Sequence, residues 1–227
     1  MATEYGNRSI VTSGLTLCLD AGNLKSYPTT GTTWTDLSKN NLNGTLSNCT
    51  YNSSNLGGVV FNGTNSVTNL SSINFGSSEF TINYWLVKNS RLYRYLQDLG
   101  GLNTGGIGFG PGTGNALTAN AALNVYGGSK ILSIGTELGT SWYPINTLFE
   151  FSVTRSGSVS KLYLNGSLIY TDTATGSFGG ASTSKIGDYG GGGLPFDGTI
   201  YNVKFYNRAL SASEVLQNYN ATKWRFQ

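Results

Sequence analysis

Short runs of alternating apolar and polar residues, each bounded by turn residues, recur along the whole chain. In EFTINYWLVK, residues 79–88, the hydrophobic residues Phe80, Ile82, Tyr84 and Leu86 occupy every second position. A period of two places such residues on one face of a β-strand. In KLYLNGSLIY, residues 161–170, the pair Asn165–Gly166 separates two alternating runs. This spacing predicts a type I′ hairpin, because both turn residues of that hairpin need positive φ.

The same pattern predicts strands along most of the sequence. In TLFEFSVTR, Phe149, Phe151 and Val153 face one way, and the polar residues between them face the other. The unequal spacing of hydrophobic residues in the last strand predicts a β-bulge near Tyr201 or Asn202. The Gly-rich segment 100–116 has no phosphate-loop spacing and is expected to hold only a short GIGFG strand within loops. The other predicted strands span residues 14–20, 57–63, 91–97, 121–126, 131–134, 147–155, 184–189 and 197–207.

One segment carries a helix-start signal. In LSASEVLQNY, Ser211 is expected to cap a helix over residues 212–221, with Glu214 completing a capping box. Val215 and Leu216 are expected to pack onto the body of the domain. With 32 Gly, 4 Pro and 11% charged residues, the composition favours an all-β chain. The prediction is an all-β, two-sheet antiparallel jelly-roll β-sandwich with one short C-terminal helix, formed by residues 14–227 behind an N-terminal arm, 1–13.

Composition also excludes several classes of function. A net charge of +3 is too small to predict nucleic-acid binding. The chain has no histidine, so a His-dependent catalytic triad and a His-bearing zinc site are impossible. No apolar run is long enough to span a membrane, and the first residues do not resemble a signal peptide. Cys18 is expected to be a small buried residue, with a Cys18–Cys49 bridge as the alternative.

The segment WTDLSKNNLNG, residues 34–44, resembles the start of a calcium loop. Asp36, Ser38 and Asn40 place oxygen atoms at alternate positions. The twelfth position of such a loop needs a carboxylate, and here it is Ser47. The preferred interpretation is a turn in which Asp36 and Ser38 bind backbone N–H groups. No cofactor is therefore expected, with calcium as the alternative if Asp20 or backbone carbonyls converge on Asp36.

Aromatic residues in predicted loops are the candidates for sugar stacking, because loops often carry binding residues. They could instead pack against neighbouring subunits, so the ligand-binding and metal-binding residues are left open. RLYRYLQ and KWRF combine basic and aromatic residues but carry only two positive charges each, which favours solvated edges or subunit contacts. The loop aromatics are Tyr27, Trp34, Tyr143 and Tyr189.

Two segments resemble a known family. They are GLTLCLDAGNLKSYPTTGTTWTDLSKNNLNGTL with GGVVFNGTN, and the C-terminal region with the pattern F-x-G-x-I-x-x-V-x-F-Y-N-R-A-L-S-x-x-E at Phe196–Glu214. Both resemble laminin G-like domains of the concanavalin A-like lectin/glucanase superfamily, and the first also resembles the form found in structural proteins of tailed bacteriophages. The resemblance implies a jelly roll that often binds glycans, other proteins or a calcium ion. Glucanases of this fold carry E-x-D-x-x-E, which this chain lacks, so no enzymatic activity is expected.

The functional expectation combines this resemblance with the missing export signal. The leading hypothesis is a virion structural protein of a tailed phage, either a capsid decoration (cement) protein or a fibre or tail surface protein. It would assemble in the host cytoplasm, form homo-oligomers and contact other virion proteins. The first alternative is a lectin that recognises host-surface glycans. The second is a bacterial adhesin module, either cytoplasmic or exported by an unusual route.

Overall fold

The computed structural model describes residues 9–73, 79–90, 92, 94–99, 106–109, 123–127, 129–134, 143–173, 184–188 and 193–226. Within them, α1 spans Ala212–Thr222, and 3₁₀ turns span Ser54–Leu56 and Lys223–Phe226. The strands are β1 (Leu15–Asp20), β2 (Thr33–Trp34), β3 (Gly44–Ser47), β4 (Thr50–Asn52), β5 (Gly58–Asn62), β6 (Val67–Leu70), β7 (Glu79–Lys88), β8 (Arg94–Asp98), β9 (Gly106–Phe109), β10 (Leu123–Gly127), β11 (Ser129–Ile134), β12 (Leu148–Ser156), β13 (Val159–Leu164), β14 (Ser167–Thr173), β15 (Ser184–Ile186) and β16 (Asp197–Tyr206).

The strands form two antiparallel sheets. The back sheet has the order β14-β13-β12-β7-β16-β5-β4, and β1 also pairs with β16. The front sheet has the order β11-β10-β9-β8-β15-β6-β3-β2. The predicted all-β, two-sheet architecture with a C-terminal helix is confirmed.

The main core lies between the sheets and follows the predicted alternation. Ile82, Tyr84 and Leu86 of β7 are fully buried. The Tyr84 ring stacks on Phe151 of the neighbouring β12 at a centroid distance of 5.6 Å. The hydroxyl of Tyr84 donates to Gln97 Oε1 of the front sheet at 2.5 Å, so one hydrogen bond crosses the core. Since strand side chains alternate between faces, the residues between these core positions point to the outer face of the back sheet.

Two of the register shifts between paired strands involve β16. The predicted bulge in β16 is confirmed, because the register with β7 shifts between Ile200 and Asn202. A second shift between Leu15 and Leu17 was not predicted. Leu17 remains in the main core, but Leu15 packs instead against a separate cluster outside the back sheet.

Helix α1 covers this outer face. The predicted capping box is present, with the N–H of Glu214 donating to Ser211 Oγ at 3.3 Å and the N–H of Ser211 donating to Glu214 Oε2 at 2.9 Å. Val215 is fully buried, as predicted. Leu216 is 45% exposed, and its Cδ1 lies against Gly166 in the β13–β14 turn, so it packs only at the edge of the body. The next helical position is turned by about 100°, which carries Leu216 off the apolar stripe.

Trp85 anchors the chain after α1 to the same face. Its ring stacks on Tyr219 at 5.5 Å and on Phe226 at 4.4 Å, and its Nε1 donates to Thr222 Oγ1 at 2.8 Å. The N-terminal residues join this layer, because the N–H of Val11 donates to Asn218 Oδ1 at 2.8 Å. Residues 1–8 lie outside the described part, so the boundary of the predicted arm stays a prediction.

Three local features complete the fold. Asn165 and Gly166 have φ of 49° and 78°, which agrees with the predicted type I′ hairpin. Cys18 and Cys49 are free thiols, and Cys18 is buried as expected. Within the part of the chain that the structure describes, no helix combines the length and apolar character needed to cross a bilayer.

Candidate functional site

The WTDLSKNNLNG segment is a turn organised by the carboxylate of Asp36. Asp36 Oδ1 accepts from the N–H groups of Cys18 and Ser38, each at 2.9 Å. Asp36 Oδ2 accepts from the hydroxyl of Ser38 at 2.7 Å and from the N–H of Leu42 at 3.1 Å. The interpretation as a turn is therefore confirmed. The four donors use both carboxylate oxygens and tie the loop to β1.

The geometry around Asp36 offers little to a cation. The carboxylate of Asp20 does not converge on Asp36, because it pairs with Arg225 Nη1 at 2.6 Å. Among the described residues, no group of three or more His, Cys, Asp or Glu side chains lies close enough together to hold a metal ion. The calcium alternative stays a prediction.

Three of the four loop aromatics considered for sugar stacking are not on the surface. Trp34 and Tyr143 are fully buried and Tyr27 is 5% exposed, so none of the three is available to a ligand or to a neighbouring subunit. The loop that carries Tyr27 folds back on itself, since Ser26 Oγ donates to the carbonyl of Thr35 at 2.5 Å. The fourth candidate, Tyr189, lies outside the described residues.

The largest exposed aromatic side chain in the described part is Trp224, which is 55% exposed. It lies in the 3₁₀ turn after α1, and its Nε1 donates to the carbonyl of Ala221 at 2.8 Å. This position belongs to the layer on the back sheet. Among the described residues, the exposed aromatic candidate is therefore Trp224, near the C-terminus.

A buried polar cluster lies between the back sheet and α1. Glu150 Oε1 accepts from Asn83 Nδ2 and from Ser152 Oγ, the latter at 2.7 Å. Glu150 Oε2 accepts from the N–H of Gly166 at 3.1 Å. On the other side of Asn83, Lys204 Nζ donates to Asn83 Oδ1 at 3.3 Å and also contacts Asn202 Oδ1. Asn83 thus separates the buried acid from the buried amine.

Burial dominates the electrostatics of this cluster. It raises the pKa of Glu150 to about 7 and lowers the pKa of Lys204, because a low-dielectric environment disfavours each charged form. A carboxyl with such a pKa could act as a general acid if it reached a substrate. Glu150 and Lys204 are 0% and 1% exposed, however, and both lie beneath the helical layer. Their arrangement suits a structural role.

The outer face of the front sheet presents a different arrangement, here called the polar row. Five strands contribute one residue each, and their registers connect them in a continuous line: Thr33 pairs with Thr45, Thr45 with Asn69, Asn69 with Lys185, and Lys185 with Asp98. Four gaps of about 4.8 Å make the row about 19 Å long. The polar row consists of Thr33, Thr45, Asn69, Lys185 and Asp98.

Alternation with core residues aims the polar row outward. Trp34, Leu46 and Ile186 are buried next to Thr33, Thr45 and Lys185 in sequence, and each faces the core. Thr33, Thr45 and Asn69 are exposed, and Lys185 is half-buried. Asp98 is only 3% exposed and lies at the inner end of the row.

The hydrogen-bonding capacity of the row is largely unused. Across the described residues, the side chains of Thr33, Thr45, Asn69 and Lys185 have no hydrogen-bond or ion-pair partner, whereas Asp98 is engaged. Two hydroxyls, one amide and one ammonium therefore provide donors and acceptors on a rigid surface. Such a row can bind an extended ligand that is rich in hydroxyl groups.

Sequence reasoning missed the polar row. Its members lie between positions 33 and 185, and each one alone is an ordinary solvent-facing strand residue. Only the pairing of β2, β3, β6, β15 and β8 brings them together. No strand was predicted at β2, β3 or β6, which carry Thr33, Thr45 and Asn69. Sheet order and register are needed as well to align the row.

Comparisons with known proteins agree with the two-sheet fold described for this chain. A family model described as the concanavalin A-like lectin/glucanases superfamily, Laminin_G_3, matches residues 62–216. A comparison with curated protein sequences finds no significant match. Solved structures similar to this chain include domain 4 of an extracellular arabinanase from Geobacillus stearothermophilus in complex with arabinotriose, at 17% identity and a TM-score of 0.67. That match covers 91% of this chain and 98% of that domain.

Two other similar structures are much longer than this chain. Trypanosoma rangeli sialidase in complex with sialic acid is 18% identical, with a TM-score of 0.66 over 96% of this chain and 34% of the sialidase. The binding domain of botulinum neurotoxin DC, in complex with rat synaptotagmin II, is 14% identical, with a TM-score of 0.67 over 94% of this chain and 53% of that domain. The chain thus spans about a third of the sialidase and half of the neurotoxin domain.

Proposed function

Because the chain belongs to the concanavalin A-like lectin/glucanases superfamily, we propose that it is a non-enzymatic carbohydrate-binding module that uses the polar row to bind sugars. The observation that carries this proposal is the register that aligns Thr33, Thr45, Asn69 and Lys185 with unused hydrogen-bonding groups. Sugar hydroxyls both donate and accept, as do the threonine hydroxyls and the asparagine amide.

The dimensions of the row support an oligosaccharide rather than a single sugar. The strand spacing of about 4.8 Å is close to the length of one pyranose unit, so a linear chain laid across the strands places roughly one sugar over each residue. The arabinanase domain, whose structure contains arabinotriose, is matched over nearly its full length. That similarity is compatible with an oligosaccharide ligand here.

The non-enzymatic part of the proposal rests on the described carboxylates. Glycosidases generally need two carboxyl groups on either side of the scissile bond. Glu150, whose pKa is raised, is sealed beneath α1. Asp36 is committed to backbone N–H groups, and Asp20 is committed to Arg225. We infer that these three carboxylates serve the fold and not a reaction.

An oligosaccharide array followed by calorimetry tests the proposal. The double variant Thr45→Val with Asn69→Ala removes hydrogen-bonding groups from the row, and Thr171→Val is the matched control on an exposed strand position of the back sheet. Two lost hydrogen bonds of about 0.5–1.5 kcal/mol each should weaken binding about tenfold. The control should bind as the wild type does. Absence of glycan binding, or equal binding by the double variant, would contradict the proposal.

The virion role predicted from the sequence is a separate proposal, and it rests on the resemblance of the two quoted segments. The three solved structures named above are an arabinanase domain, a sialidase and a neurotoxin domain. Location on a virion surface, contacts with virion proteins and homo-oligomerisation therefore stay predictions. Detection of the protein in purified phage particles would support them, and its absence from such particles would count against them.

A further inference from the structure

We propose that the polar row selects glycans that carry an anionic group, a carboxylate or a sulfate, and that Lys185 is the residue that binds this group. The inference rests on the proposed function and narrows it to a class of ligand. It follows from the distribution of charge along the row.

Lys185 occupies an internal position in the row. It pairs in register with Asn69 on one side and with Asp98 on the other. Its neighbour Ile186 is fully buried in the core, so Lys185 points to the outer face. Within the described residues, its ammonium group has no hydrogen-bond or ion-pair partner. A lysine side chain is positively charged at neutral pH.

The carboxylate of Asp98 does not cancel this charge by direct contact. Asp98 is 3% exposed and engaged within the structure. No ion pair joins it to Lys185, because Lys185 has no ion-pair partner among the described residues. A ligand that approaches from solvent meets the ammonium of Lys185 and the uncharged groups of Asn69 and Thr45. The accessible part of the row therefore favours a negative charge over β15.

The order of residues also indicates the shape of the ligand. Three strand spacings, about 14 Å, separate Lys185 from Thr33. The groups along this distance are an amide and two hydroxyls, which suit neutral sugar hydroxyls. The ligand class that fits is a linear oligosaccharide with its anionic sugar over β15 and its remaining sugars extending toward β2.

Matched pairs of oligosaccharides test the inference. The carboxylate pair is a trigalacturonate and its methyl ester, and the sulfate pair is a sulfated oligosaccharide and its desulfated form. Each is titrated against the wild type, Lys185→Gln and the control Lys161→Gln, a half-buried lysine on β13 of the back sheet. The wild type should prefer the anionic member of at least one pair about three- to fivefold, as expected for a solvent-accessible ion pair. The pair that shows the preference identifies the anionic group.

The variants separate this inference from the proposed function. Lys185→Gln should abolish the preference for the anionic member and remove the salt dependence of binding, whereas Lys161→Gln should keep both as the wild type does. Equal binding of both members by the wild type, or a preference that survives in Lys185→Gln, would overturn the inference and leave the proposed function standing. Failure of every oligosaccharide to bind would overturn both.

Discussion

The buried carboxyl of Glu150 should make the stability of this protein fall as the pH rises through the neutral range. Burial raises its pKa in the folded state to about 7, against an ordinary value of 4.5. Between these two values the folded state holds a proton that the unfolded state has released. The unfolding free energy therefore decreases with pH across this window and levels off above it.

The magnitude follows from the same two values. A pKa raised from 4.5 to about 7 corresponds to about 3 kcal/mol when the titration is complete. Between about pH 5 and pH 8, the unfolding free energy should fall by about 2–3 kcal/mol. The chain has no histidine, so no other side chain with an ordinary pKa titrates in the middle of this window. Lys204 has the opposite sign, because burial lowers its pKa and its contribution therefore grows toward alkaline pH.

Urea denaturation at a series of pH values measures this effect, with Glu150→Gln as the reference. The glutamine keeps the size of the side chain but does not titrate, so the difference in unfolding free energy between wild type and variant isolates Glu150. That difference should change by about 2–3 kcal/mol between about pH 5 and pH 8. A difference that stays constant across the range would refute the reasoning, whatever the absolute stability of the variant.

Further predictions concern other contacts. Addition of a chelator should leave the melting temperature unchanged, because each carboxylate oxygen of Asp36 already accepts two hydrogen bonds. A drop in melting temperature on adding the chelator would restore the calcium alternative. Asp36→Ala should lower the unfolding free energy by about 2–3 kcal/mol in urea denaturation. Thr222→Val should lower the unfolding free energy by about 1–3 kcal/mol and change the fluorescence of Trp85, because Trp85 Nε1 would lose its hydrogen-bond acceptor. An unchanged unfolding free energy would argue against this hydrogen bond. Cys18 should react with a thiol reagent only after unfolding, because burial raises its pKa to about 11, and rapid labelling of the native protein would contradict this.

Local patterns predicted most of the longer strands and the helix start, because the signals for these features lie in neighbouring residues, but they missed the short strands β2, β3, β4 and β6. The alternation of Phe149, Phe151 and Val153 and the capping box of Ser211 and Glu214 both appear as expected. Each depends on the geometry of a single strand or helix turn. The bulge before Asn202 was also predictable, because an extra residue breaks the period of two.

Features that depend on distant contacts were harder to predict. Trp34 and Tyr143 are flanked by turn residues, which indicates a loop but not whether its side chains turn into the core. Leu15 lies outside the main core because of a register shift that alternation alone does not show. The polar row needs the order of five strands, which a single sequence does not contain.

The layer on the back sheet has a practical consequence for handling the protein. Gln217 Nε2 donates to the carbonyl of Ser9 at 2.9 Å, and Phe226 packs on Trp85, so both ends of the described chain lie on the outer face of the back sheet. The polar row lies on the other side of the sandwich. A sensor surface, fluorophore or fusion partner attached near residue 9 or residue 226 would therefore lie on the opposite side of the sandwich from the row.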